Sequence, residues 1–242
     1  MCCKSTSLIN IKPMTIKKIR FKISRYKPGV IDTPRFYTYV VPANAHMSVL
    51  DGLEKIRLEQ EPTLMYRHSC HHASCGTCAC IINGTEQLAC ATKIWNLDSA
   101  SVTLEPLNGF ERIADLTVNF EAFFQEISPE WTYVRPAEVI RKTPENSNIG
   151  SHTRFENCIE CGSCVSACPV AQDEGKFMGP AALAAIHREI LKRPRKKEKL
   201  RKLAGGQRGL RWCQRALKCS RVCPAKVYPA RHIANLGKAL KQ

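Results

Sequence analysis

Two cysteine runs in the C-terminal half of the chain are near copies of each other. The first reads Cys158-Ile-Glu-Cys161-Gly-Ser-Cys164-Val-Ser-Ala-Cys168-Pro169, and the second Cys213-Gln-Arg-Ala216-Leu-Lys-Cys219-Ser-Arg-Val-Cys223-Pro224. Both follow C-x2-C-x2-C-x3-C-P, with alanine standing in for the second cysteine of the second run. Thiolates are soft ligands suited to iron, and in this spacing the first three cysteines hold one cubane while the fourth crosses to the other. Cys158, Cys161 and Cys164 with Cys223 are therefore the expected ligands of a [4Fe-4S] cluster. Cys168, Cys213 and Cys219 remain for the second centre. Ala216 offers no thiolate to its fourth corner, so a three-iron [3Fe-4S] cluster is predicted there.

A third group lies upstream. Cys70, Cys75 and Cys78 stand in C-x4-C-x2-C, the plant-type [2Fe-2S] spacing. Cys90 supplies the fourth thiolate, folded back by Asn83-Gly84, a strong hairpin-turn signal. Gly76 lets the backbone approach the sulfides, where N–H donors tune the potential. Four thiolates complete the site, so His71 and His72 are read as solvated residues that tune the potential, with Rieske-type ligation the minor alternative. Cys80 sits on a strand, where its side chain faces away from its neighbours', and is read as a packing residue.

Fourteen cysteines in 242 residues is a high count. Ten of them fall into these three groups and Cys90 follows one of them. That is metal spacing rather than a disulfide framework, and it implies a reducing compartment. No run of apolar residues is long enough to span a membrane. The start, Met1-Cys2-Cys3-Lys4-Ser5, lacks a signal-like apolar region. Met14 is an alternative start, and Cys2 and Cys3 are read as tail thiols.

The net charge of +16 is unevenly placed: residues 1–140 carry 15 Lys and Arg against 14 Asp and Glu, whereas residues 141–242 carry 22 against 7. Much of the excess sits in the run from Lys192 to Lys202. A basic half suits an acidic partner or an anionic membrane surface. No aromatic interleaving accompanies the run, so no nucleic-acid role is expected.

These loops need elements to position them. Residues 15–26 alternate, with Ile16, Ile19, Phe21 and Ile23 apolar, and read as a half-buried strand. Lys27-Pro28-Gly29 breaks it, and 35–41 supplies an antiparallel return. Residues 48–58 read as a helix behind the N-cap Ser48. Residues 102–105 read as the closing strand. Ile113 to Glu126 follows, and Ser128-Pro129 to Arg135-Pro136 reads as a linker, with the domain boundary somewhere in about 110–145. Beyond it, 177–191 and 229–240 read as helices, with His187 structural or solvated and the basic run on surface helix or loop. The class is α+β: a β-grasp plant-type ferredoxin domain over 14–120, then an all-α bacterial-ferredoxin-like domain over 121–242.

Taken together, the motifs identify the chain as a member of one family. From about Thr15 onward it resembles the iron–sulfur subunit of succinate dehydrogenase and fumarate reductase. The resemblance rests on Ser69 to Ala79, Ile82 to Gly84, Leu88 to Cys90, Cys158 to Pro169, Gly179 to Leu183, and Trp212 to Pro224. It implies electron transfer between an FAD-containing flavoprotein, which interconverts succinate and fumarate, and a quinone at membrane anchor subunits. It also implies a peripheral position on the cytoplasmic face of the inner membrane. Such a subunit supplies no acid, base or nucleophile, because its chemistry belongs to its clusters.

Relatives that use ubiquinone often place paired tryptophans after the first Cys-Pro, and a histidine after the first cysteine of the second run. Here Val170 follows Pro169 and Gln214 follows Cys213. Menaquinone is the favoured acceptor, with Pro169, Gln214 and Lys238 marking its vicinity. Alternatives are a thiol- or heterodisulfide-linked fumarate reductase subunit and a ferredoxin-like carrier without catalytic partners. The direction, succinate oxidation or fumarate reduction, is not written in the chain.

Overall fold

Alternation of apolar and charged residues builds the first strand. In β1 (Lys17–Lys27) Ile19, Phe21 and Ile23 are buried while Lys18, Arg20 and Lys22 face out. The structure is a computed structural model and describes residues 15–97, 99–127, 158–172, 176–192 and 197–240. Strand β1 pairs antiparallel with β2 (Ile31–Ala43), from Lys17 opposite Ala43 to Lys27 opposite Ile31. The ladder runs the full length of β1, so β2 is longer at both ends than the return expected over 35–41. It forms one edge of the sheet and is largely exposed.

Helix α1 (Val49–Glu59) starts at a complete capping box: the Asp51 amide donates to Ser48 Oγ at 3.2 Å, and the Ser48 amide donates to Asp51 Oδ2 at 2.7 Å. Its Val49, Leu50, Leu53 and Ile56 are buried against the sheet. Strands β3 (Ala79–Ile82) and β4 (Thr85–Leu88) form the expected hairpin. Asn83 and Gly84 both have positive φ, 48° and 77°, as a type I′ turn requires.

Strand β5 (Ser101–Glu105) comes last of the five in sequence but lies in the middle of the sheet. It runs parallel to β1 and antiparallel to β3, giving the order β2-β1-β5-β3-β4. A short hairpin, β6 (Arg112–Ala114) and β7 (Thr117–Val118), leads into α2 (Glu121–Glu126).

From Cys158 on, the regular elements among the described residues are helical: α3 (Ser163–Ser166), α4 (Gly179–Lys192), α5 (Lys197–Gly205), α6 (Lys218–Arg221) and α7 (Pro229–Ala239), with one 3-10 turn at Leu210–Trp212. Helix α4 is the axis of this half. Leu183 and Ile186 are fully buried, and His187 lies inside as well, its Nδ1 3.0 Å from His232 Nδ1 on α7. Of the described residues of the basic run, Lys192 ends α4 and Lys197 to Lys202 lie on α5, with their Lys and Arg side chains at least partly exposed. The expected linker around Ser128, Pro129, Arg135 and Pro136 lies outside the described residues, as do Cys2, Cys3 and Met14. Among the described residues no helix is long and apolar enough to cross a membrane.

Among the described residues the two larger apolar cores lie between the sheet and α1 and around α4, with a small third cluster of Ala184, Ala185 and Val227. Val118, Phe120 and Phe123 pack in the second core with Leu183 and Ile186, so the β6–β7 segment belongs as much to the helical half as to the sheet. Polar contacts join the halves too. Ser166 Oγ donates to Glu86 Oε1 at 2.8 Å and accepts from the Asn108 amide at 2.9 Å. Within the first half, Arg25 Nε donates to Asp115 Oδ1 at 2.8 Å, with the two side chains 2% and 1% exposed. Asp115 also accepts from the amides of Tyr26 (3.0 Å) and Met65 (2.8 Å). It thereby pins the segment that enters the first cysteine loop.

Candidate metal centres

The first cysteine loop leaves Met65 and returns to the sheet at Ala79. Cys78 sits at the mouth of β3, and Cys90 follows β4 after the Asn83-Gly84 turn, so the hairpin carries Cys90 back beside Cys78. The Cys90 amide donates to Cys78 Sγ at 3.5 Å. Across the loop, the Ala73 amide donates to Cys90 Sγ, and the Ser74 and Cys75 amides to Cys70 Sγ, each at 3.3 Å. Thr77 Oγ1 lies 3.0 Å from Cys75 Sγ. All four sulfurs thus belong to one web of donors.

Their environments differ. Cys78 is buried, and desolvation pushes its thiol up to about 12 against the opposing pull of the Cys90 amide. Cys70 feels a little desolvation, but the amides of His72, Cys75 and Ser74 outweigh it and hold its thiol at about 7. Cys80 is 3% exposed in the sheet core, where burial pushes its thiol well up. His72 Nδ1 packs on the Cys70 carbonyl oxygen, and His71 approaches His68.

In the helical half the cysteines fall into two cavities. Cys158, Cys161, Cys164 and Cys223 line one, walled by Gly162, Ala181 and Val227. Cys158 and Cys161 come from the loop entering α3, Cys164 from α3 itself, and Cys223 from the turn after α6, so a cysteine of the second run lines the cavity of the first. The second cavity, about 650 Å3, is lined by Cys168, Cys213, Cys219 and Ala216. Pro169, Gln214 and Lys238 line that same cavity.

Burial pushes the Cys158 thiol up to about 12 and Cys219 to about 11, and raises Cys161 and Cys164 as well. Neighbouring thiols add to the shift by mutual repulsion. Such groups keep their protons unless a strong positive charge takes their place, and iron supplies one. Sulfur donors converge, amides aim at sulfur, as the Val227 amide does at Cys223 Sγ (3.3 Å), and the walls around Cys158, Cys161, Cys164 and Cys223 are mainly apolar. This donor set fits iron–sulfur clusters in all three places.

One functional residue carries more than its motif suggested. Gly76 has φ 72°, and a Cβ added there would lie 2.7 Å from Cys161 Cβ and 2.8 Å from the Ile159 oxygen. Its bare backbone therefore lets the first cysteine loop rest on the loop of the second centre. The local motif gave a reason for glycine but no hint of this partner, which is 85 residues away in the chain.

Two family models match the chain: a 2Fe-2S iron-sulfur cluster binding domain over residues 20–125 and a 4Fe-4S dicluster domain over residues 154–227. The chain is 33% identical over 233 residues to a fumarate reductase iron-sulfur subunit of Haemophilus influenzae, covering 90% of each. It is 30% identical to the mitochondrial succinate dehydrogenase [ubiquinone] iron-sulfur subunit of Candida glabrata, covering 91% of this chain and 90% of that one. In fold it is similar to a chain of the Mycobacterium smegmatis Sdh1 complex, with a TM-score of 0.75 at 21% identity, over 93% of this chain and 96% of that chain.

Proposed function

The chain belongs to the family of iron–sulfur subunits of fumarate reductase and succinate dehydrogenase, and from that premise we propose how its residues serve the complex. It is a subunit of an oxidoreductase. In the reading advanced here, Cys70, Cys75, Cys78 and Cys90 hold a [2Fe-2S] cluster. Cys158, Cys161, Cys164 and Cys223 hold a [4Fe-4S] cluster, and Cys168, Cys213 and Cys219 a [3Fe-4S] cluster. Bound clusters supply one-electron redox chemistry. The halves are a β-grasp plant-type ferredoxin domain and an all-α bacterial-ferredoxin-like domain, with 14–120 and 121–242 as the working division.

The observation that carries this reading is the sorting of cysteines into one donor web and two cavities, with Gly76 against Cys161 between the first two. Contact between loops keeps the first two centres close without intervening side chains. Amides aimed at sulfur stabilise the charge that a centre gains on reduction. Ala216 faces the second cavity in place of a thiol, which favours a three-iron centre.

On this reading an FAD-containing flavoprotein docks at the first loop and membrane anchor subunits lie near the second cavity. The subunit is then peripheral, at the cytoplasmic face of the inner membrane. Pro169, Gln214 and Lys238 lie where a quinone would approach the last centre. The absence of a histidine after Cys213, where Gln214 stands, favours menaquinone. The basic C-terminal half suits an anionic membrane surface beside an anchor.

The test is co-purification with a flavoprotein and anchor, followed by EPR during reduction by succinate. A [3Fe-4S] signal is expected in the oxidised state and should fade on reduction, while signals of the reduced [2Fe-2S] and [4Fe-4S] clusters appear. A complex whose iron centres do not respond to succinate would defeat the proposal.

A further inference from the structure

Outside the cysteine sites, three ligand-type side chains converge on one point. Glu54 Oε1, on α1, lies 3.6 Å from His68 Nδ1 and 3.6 Å from His71 Nε2, and those two nitrogens are 3.1 Å apart. A triangle with these sides has its equidistant point about 2.0 Å from every corner, the length of a Zn–N or Zn–O bond.

Hydrogen bonding accounts for only part of this arrangement. One shared proton joins the two imidazole nitrogens, but both contacts to the carboxylate exceed hydrogen-bond length. A single cation at the equidistant point lies at bonding distance from all three donor atoms at once.

The groups are also held. Glu54 is fixed by α1, the Tyr66 ring packs on His68 at a centroid distance of 5.3 Å, and His71 has φ 60°, a backbone state that costs a side-chain-bearing residue energy. The nearby cations are engaged elsewhere, Arg57 over the Tyr66 ring and Arg67 over the Phe120 ring. All three ligand side chains remain reachable from solvent, at 30%, 28% and 42% exposure.

We propose that Glu54, His68 and His71 form a binding site for a divalent cation of the zinc class. Two imidazoles and one carboxylate favour such a cation over calcium or magnesium, which prefer oxygen ligands alone. Three ligands leave further positions on the ion open, above and below their plane, for water or for a ligand from a partner. Because His68 and His71 bracket Cys70, a bound ion ties α1 to the entrance of the first cysteine loop. The site stands on its own geometry and does not depend on which cluster Cys70 serves.

The test uses the iron-loaded chain in its complex, dialysed against EDTA, titrated with Zn2+ and assayed for zinc and iron by mass spectrometry. Wild type is expected to retain one more zinc per chain than Glu54→Gln or His71→Ala, or to bind it at least about tenfold more tightly, as loss of a metal ligand implies. Glu54→Gln is isosteric on a helix surface, so it keeps the site falsifiable should His71→Ala disturb the loop; an unchanged iron content and visible spectrum verify folding. Zinc lodged adventitiously in cysteine sites would not respond to Glu54→Gln. Equal zinc retention by wild type and Glu54→Gln would overturn the proposal.

Discussion

Gly76 and Cys161 meet with no side chain between them: the Cβ that Gly76 lacks would stand 2.7 Å from Cys161 Cβ. The loop of the first centre therefore lies directly on the loop of the second, and one hydrogen atom in place of a methyl group keeps them together.

Replacing Gly76 by alanine should separate the loops as well as strain the backbone. Gly84→Ala is the natural comparison, since φ is +77° there but nothing lies within 4 Å of the added Cβ. Both variants should lose about 1–3 kcal/mol to positive φ, measured by denaturant unfolding. Only Gly76→Ala should also slow electron arrival at the second centre, followed by rapid-freeze EPR. Equal transfer in the two variants would show that the contact is incidental.

Ala216 should decide the nuclearity of the last centre. Ala216→Cys places a thiol in the cavity lined by Cys168, Cys213 and Cys219. The expected result is loss of the [3Fe-4S] EPR signal from the oxidised protein and a gain of iron. An unchanged signal with the new thiol still alkylatable would count against the assignment.

Cys80 should prove dispensable for iron. It is 3% exposed in the sheet core. Cys80→Ala should leave iron content unaltered at a modest cost in stability, whereas Cys80→Ser should cost about 1–3 kcal/mol where its hydroxyl finds no partner. Iron analysis and thermal unfolding distinguish packing from ligation.

The Arg25–Asp115 pair should be among the most sensitive points of the first half. Asp115→Ala removes the buried carboxylate partner of a guanidinium that is 2% exposed, leaving it only the half-buried Glu61 at 3.1 Å, and removes the acceptor of the Tyr26 and Met65 amides. Breaking one partner of such a pair costs about 3–5 kcal/mol. Arg25→Met combined with Asp115→Leu should be milder than Asp115→Ala alone, because no buried charge is left unpaired.

Ser166→Ala should loosen the junction between the halves. It removes the donor to Glu86, which is 8% exposed, and the acceptor of the Asn108 amide. A loss of about 1–3 kcal/mol is expected, with amide exchange rising at Asn108 before the sheet core.

Much of this molecule is legible in one dimension. Ligand spacing within a loop is a local stereochemical constraint, so three groups of cysteines, and the gap at Ala216, can be read without a fold. Alternation marked β1, the Ser48 cap marked α1, and Asn83-Gly84 marked the hairpin, since each depends on neighbours a few residues apart.

Contacts between distant residues are another matter. Alternation says that 102–105 is a strand, not that it enters the middle of the sheet between β1 and β3. Nothing near Asp115 announces Arg25, nothing near Glu86 announces Ser166, and the glycine after Cys75 says nothing of Cys161. Glu54 sits on a helix that the sequence marks as amphipathic, with no sign that His68 and His71 come to meet it. The sequence by itself determined how the cysteines group into three loops, because loop spacing and turn geometry are fixed by near neighbours. The tertiary structure alone decided which loops touch, because that depends on how the two cores pack once chain segments 40 to 90 residues apart are brought together.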